Sequence, residues 1–99
     1  MERIVMPPPR PSPAGFVYLV RCHDFVKIGI ATDVKARLSC LQTGSPYILK
    51  LLAYRKSFNA AAEEAALHEQ FKAYHINGEW FRIPKTMLKT LADSLKSLH

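Results

Sequence analysis

The sequence has little that would hold a small secreted scaffold together. It contains two cysteines, Cys22 and Cys40, in 99 residues. That is too few for a disulfide framework, and no CxxC occurs. Both are expected to be free thiols in a reducing compartment. A zinc site from Cys22, His23, Cys40 and His68 would match no usual ligand spacing. No apolar run approaches the length of a membrane span, and the first residues lack the apolar core of a signal peptide. No internal repeat is visible. The expected compartment is the cytoplasm. Acidic residues are also scarce, eight against 14 lysines and arginines, for a net charge of +6. That balance favours a polyanionic partner, nucleic acid before an anionic membrane surface.

What is present fits one small domain. Hydrophobic residues make up 48% of the chain, enough for a packed core. Residues 1–14 hold "PPPRPSP" and read as an extended, Pro-rich tail, with Arg3 and Arg10 able to add weak phosphate contacts. From residue 15 to 99 the patterning is continuous. Phe16–Arg21 and Phe25–Ile30 read as a β-hairpin around the polar turn "RCHD". "TDVKARLSCLQT" reads as a helix capped by Thr32 or Asp33. Tyr47–Arg55 reads as a third strand. Asn59 caps a long helix, "AAAEEAALHEQFKAYH", and "EWFRI" is a short extended piece. Pro84 opens a last helix with Met87, Leu88, Leu91, Leu95 and Leu98 on one stripe. The order β-β-α-β-α-β-α predicts a small mixed α/β (α+β) domain with a central antiparallel sheet flanked by helices.

Two polar side chains interrupt the hairpin. With Val20 placed opposite Phe25, Tyr18 lies opposite Lys27 on one face. Val17, Leu19, Val26 and Ile28 take the other face as core. The face with the phenol and the ammonium is then expected to meet something polar. On the long helix, Glu64, Leu67, His68 and Phe71 share a stripe. Leu67 and Phe71 mark the buried side, so Glu64 and His68 are drawn towards the interior or a cleft. A carboxylate there must be paired or bind a cation. Arg37 lies one turn into the helix that follows "GIATD".

These residues resemble those of GIY-YIG nucleases. "FVY" at Phe16–Tyr18 stands where the first signature triplet belongs, and "KIG" at Lys27–Gly29 stands for the second. Arg37 falls at the place of the helix arginine, and Glu64, heading "EAALH", at that of the metal-binding glutamate. "LQTGSP", "LHEQF" and "GEWF" are similar to one compact branch common in phages and bacteria. The likeness runs from about Gly15 to Ile83. Lys27 replaces the usual second tyrosine, and Asn77 is the nearest candidate for the usual asparagine.

The resemblance implies a DNA endonuclease or nickase that hydrolyses phosphodiester bonds with one Mg²⁺ or Mn²⁺ ion. Glu64 would be the metal ligand. Arg37 would hold the phosphate, and Tyr18 would orient or deprotonate the attacking water. Lys27 would be the cation favouring phenolate at Tyr18, or would bind phosphate itself. His68 could contact phosphate, shuttle a proton or bond a metal-bound water; equally it could be a satisfied core histidine. Asn77 is the accessory candidate. Lys35, Lys50, Arg55, Lys56 and Lys72 could meet the DNA backbone, giving salt-dependent, sequence-blind binding. Trp80 and Phe81 are expected to close the core. Two alternatives stay open: a catalytically weakened DNA-binding or regulatory module of this fold, and a protein-interaction domain. Specificity would have to come from a protein partner, self-association or DNA structure, because nothing in the chain reads as a separate recognition domain.

Overall fold

A computed structural model of the chain describes residues 15–96. The Pro-rich tail and Leu98 lie outside the described residues. Nine elements follow one another: β1 (Gly15–Cys22), β2 (Phe25–Ala31), α1 (Val34–Thr43), β3 (Lys50–Ser57), α2 (Ala60–Gln70), a 3₁₀ turn (Lys72–Tyr74), β4 (His75–Asn77), β5 (Trp80–Phe81) and α3 (Lys85–Lys96). The strands form one antiparallel sheet in the order β3-β1-β2-β5-β4. The small mixed α/β fold expected from the sequence is the fold found.

The two faces of the sheet carry different loads. Val17, Leu19, Val26 and Ile28 are buried on one side with Ala60 and Phe71 from the α2 region and Leu91 and Leu95 from α3. Tyr18 and Val20 are buried on the other, against Val34 of α1 and Leu49, with Leu38 and Leu41 packed around them. So α2 and α3 cover one face and α1 covers the other. The alternation in β1 and β2 assigns these residues to faces correctly, since successive side chains point to opposite sides.

The hairpin register differs from the expectation. Cys22 pairs with Phe25, so the turn is only His23–Asp24. Tyr18 therefore faces Gly29, and Lys27 faces Val20. The two-residue turn needs a residue at positive φ. His23 supplies it, at φ 56°. Its carbonyl accepts a bond from Arg21 Nε at 2.8 Å, and its ring meets Tyr47 edge-on at 4.4 Å. The slip is an even number of residues, so Tyr18 and Lys27 stay on one face as diagonal neighbours.

Two element boundaries also shift. The third strand starts at Lys50 and not at Tyr47. Gln42 captures the preceding loop: its Nε2 donates to Tyr47 O at 2.9 Å and its Oε1 accepts from Leu49 N at 2.8 Å. Ser45 Oγ donates to Tyr47 O at 2.8 Å. "LQTGSP" thus spells a loop clamp. The long helix stops at Gln70, capped at its start by Asn59 Oδ1 on Ala62 N and at its end by Phe71. The chain then enters β4, a strand the sequence did not announce. It turns back into β5 through Gly78, whose φ of 56° suits a residue without Cβ. Gln42→Ala is expected to lower unfolding stability by about 1–2 kcal/mol in urea titration, because Leu49 N loses its partner and Tyr47 O keeps only the bond from Ser45 Oγ. An unchanged midpoint would show that the clamp is not needed.

Candidate functional site at the open edge of strand β2

The site grows from one gap in the sheet. Strand β5 pairs with only Val26 and Lys27 of β2. At the next position, Ile28 N donates to Glu79 O at 3.0 Å, and there the partner chain turns away through Gly78. The Ile28 carbonyl, on the same side of the strand, would be left without a bond. A buried carbonyl seldom stays so. His68 Nε2 on α2 lies 3.0 Å from it. A carbonyl only accepts, so Nε2 carries the proton and donates. His68 thus completes the ladder where β5 ends. Its ring also meets Phe81 edge-on at 4.8 Å.

This bond brings α2 to the sheet edge and Glu64 with it. Glu64 Oε2 lies 3.9 Å from His68 Nε2, too far for a hydrogen bond. That oxygen is buried and has no hydrogen-bond partner among the described residues. Burial, then the neighbouring Glu79 carboxylate, push the Glu64 carboxyl above the usual carboxylate range, against the pull of His68 and Lys27. Glu79 behaves oppositely. Burial opposes its ionisation, but the hydrogen bond and charge of Lys27 outweigh that and hold it below the usual range. Lys27 Nζ lies 2.9 Å from Glu79 Oε1 and 5.6 Å from the centre of the Trp80 ring.

The phenol sits on the α1 side. Tyr18 is 1% exposed, and its Oη has no hydrogen-bond partner among the described residues. The ring lies across Gly29: a Cβ there would come 2.5 Å from Oη and 2.6 Å from Cζ. Only glycine leaves room for the phenol. Exposed Arg37 reaches over from α1. The Tyr18 phenol raises the Arg37 guanidinium above its ordinary value, through hydrogen-bonding character first and charge second. The contact falls short of a well-aligned hydrogen bond, since Oη remains unsatisfied by geometry. Arg37 also feels the charge of Glu79.

Tyr18, Lys27, Arg37, Glu64 and His68 therefore gather around one stretch of β2. Lys27 does not stand opposite Tyr18 as expected, because the hairpin turns later and Glu79 takes the ammonium. Arg37 is the cation beside the phenol. Asn77 is exposed on β4, the outermost strand, facing Trp80 across the β4–β5 turn. Of the candidate DNA-facing cations, Lys35, Lys50 and Lys56 are exposed. Arg55 is held by Glu63 at 2.7 Å and Lys72 by Glu69 at 2.7 Å. Lys72 lines an open cleft with Glu64, His68, His75 and Phe81. Glu79 escaped the sequence reading. The signal was an acid placed one residue before an aromatic strand and next to the turn glycine, in "GEWF".

The donor set can be tested against a divalent ion. No group of three or more His, Cys, Asp or Glu placed to hold a metal occurs among the described residues. A buried carboxylate oxygen without a partner among the described residues, beside a second carboxylate, is nonetheless the donor type that a hard cation takes. Mg²⁺ commonly uses one or two carboxylates and keeps its remaining waters. The residues fit that mode and not an all-protein cage.

The fold and this cluster define a small mixed α/β domain with an acid–base notch at a sheet edge. The chain belongs to the T5orf172 domain family, whose sequence profile matches residues 15–96. Membership is compatible with a nuclease-like or DNA-binding role. No curated protein and no solved structure matches the chain. Among the described residues no helix is long and apolar enough to cross a membrane.

Stability should report the isolated carboxylate. Glu64 titrates higher folded than unfolded, so the folded state holds more protons just above the ordinary value of 4.5. Stability then falls as pH rises through that window. In EDTA, Glu64→Gln should raise the melting temperature by a few degrees at neutral pH, and the gain should vanish below about pH 4.5. A loss of stability at neutral pH would mean that Glu64 is already paired.

Proposed function

We propose that this domain is a divalent-metal-dependent DNA endonuclease or nickase with a GIY-YIG-like site. The observation that carries the reading is that two buried oxygens lack a hydrogen-bond partner among the described residues: Tyr18 Oη, beside Arg37, and Glu64 Oε2, under the charges of Glu79 and Lys27. Polar atoms held dry without partners reduce stability, and such groups gather where a ligand completes them.

The residues divide the work by position. Glu64 would hold one Mg²⁺ or Mn²⁺ ion, with Glu79 beside it. Such an ion, when bound, stabilises negative charge on the scissile phosphate and the leaving oxygen. Arg37, exposed at the mouth, grips a non-bridging phosphate oxygen; its planar fork suits that shape. Tyr18 Oη accepts a hydrogen bond from the attacking water and turns it towards phosphorus. The guanidinium close to Oη supports any charge that develops on the phenol. Gly29 keeps the phenol flat on the strand. His68 fixes the edge of β2 and the α2 backbone that carries Glu64. With Nε2 committed to Ile28, proton transfer through this ring would have to use Nδ1. Lys35, near Arg37 on α1, and the exposed Lys50 and Lys56 add phosphate contacts that weaken with salt.

A second reading is favoured by the ion pair. Lys27 is neutralised by Glu79 at 2.9 Å and is not aimed at the phenol. A DNA-binding module with weakened catalysis would also look like this. Nicking of supercoiled plasmid separates the two. The wild type should convert plasmid to open circle with Mg²⁺ or Mn²⁺ and not in EDTA. Glu64→Ala and Arg37→Ala should each slow this by at least about 100-fold. Gly29→Ala should cost a similar factor by displacing the phenol, while plasmid binding on a gel persists. Gel shifts without any metal-dependent nicking would leave the binding module as the function.

A further inference from the structure

Lys27 is a nearly dry ammonium, with 11% of its side chain exposed. An ammonium so placed needs a carboxylate, because an unpaired buried charge costs several kcal/mol. Two carboxylates are within its influence. Glu79 Oε1 holds it at 2.9 Å. Glu64 interacts with Lys27 through its charge and with Glu79 through charge and hydrogen-bonding character, yet its Oε2 has no well-aligned hydrogen bond among the described residues. Glu64 feels the Lys27 charge, and a lysine stem has four rotatable carbons, so an ammonium released by Glu79 would turn to Glu64. Whichever acid it serves is lost as a ligand for a cation.

We propose that Glu79 is a positioning residue: its carboxylate occupies the Lys27 ammonium and so keeps the Glu64 carboxylate open for a divalent cation. This rests on the reading of Glu64 as the metal-holding residue. Three features place Glu79 for the task. Its carbonyl is fixed by Ile28 N at 3.0 Å, at the point where the β2–β5 ladder ends. Gly78, at positive φ, turns the chain directly before it. The ring of Trp80, the next residue, flanks the ammonium at 5.6 Å and favours its present seat. The rival role for Glu79 is that of a second metal ligand. Both roles predict weaker metal binding when Glu79 is neutralised. They differ in what happens when Lys27 is removed as well.

The hold on the lysine is read first, without metal. Urea unfolding in EDTA at pH 8 gives the coupling between Lys27→Met and Glu64→Gln, in the wild-type background and again with Glu79→Gln. Methionine keeps the lysine stem and glutamine keeps the acid shape, so all variants should fold. In the wild-type background the coupling should stay within about twofold in the unfolding constant, and it should reach at least about fivefold once Glu79 is Gln. Equal coupling in both backgrounds overturns the proposal. Calorimetric titration with Mn²⁺ is read second. Glu79→Gln should weaken Mn²⁺ binding about tenfold. Adding Lys27→Met should return it to within about threefold of the wild type. A double variant as weak as Glu79→Gln alone makes Glu79 a ligand and overturns the positioning role. Wild-type protein that takes up no Mn²⁺ overturns the functional reading and the cation half of this proposal; the coupling then decides the lysine hold by itself.

Discussion

The bond from His68 Nε2 to the Ile28 carbonyl is the constraint on which the site depends. It exists because β5 is two residues long and cannot complete the pairing of β2. The backbone group freed by that early ending must be satisfied, and a side chain from α2 does it. One consequence is mechanical: α2 is pinned to the sheet edge at His68, one turn from Glu64. Another is chemical. The edge that strand pairing would have sealed stays open, and a carboxylate, a phenol, a lysine and an arginine reach it from both faces of the sheet. The functional reading places the chemistry where regular pairing gives out, and the packed core on either side holds the notch in shape.

The energetic balance has the same form. Phe81, Ile28, Leu19 and Val17 are fully buried around the pinned edge, and each contributes about 1.5–3 kcal/mol by leaving water. Against that core stand oxygens kept dry without a well-aligned hydrogen bond among the described residues, Tyr18 Oη and Glu64 Oε2. Each such group costs about 1–3 kcal/mol when nothing completes it. A domain this small has little stability to spare. Keeping both groups is understandable if a ligand supplies the missing bonds. The exposed ion pair of Lys72 with Glu69 contributes almost nothing to this balance.

Much of this was legible in the sequence, for reasons that differ by residue. The period-2 pattern assigned Val17, Leu19, Val26 and Ile28 to one face and Tyr18 and Lys27 to the other, because that pattern survives any even slip in register. The slip itself was not legible. "RCHD" looks like a loop of four, and only the positive φ of His23 allows a turn of two. The 3.6-residue spacing on α2 drew Glu64 and His68 towards the interior or a cleft, and both are half-buried. It could not show that His68 would be bonded to Ile28, a contact spanning 40 positions. Glu79 was hidden for a related reason. It follows a turn glycine and belongs to no periodic element, so its meeting with Lys27 arises from the β2–β5 pairing alone. Tyr18, Arg37 and Glu64 stand at signature positions of the GIY-YIG resemblance. Membership of the T5orf172 domain family is compatible with a nuclease-like or DNA-binding role.

In the proposed function, the open edge of β2 seats one divalent cation, held by Glu64. Paramagnetic broadening of backbone amide resonances by substoichiometric Mn²⁺ tests it directly. Loss of signal is expected to centre on Ile28–Ile30, Glu64–His68 and Glu79, and to be removed by Glu64→Gln and by excess Mg²⁺. Broadening spread over the exposed Glu69 and Asp93, or broadening unchanged in Glu64→Gln, would contradict it.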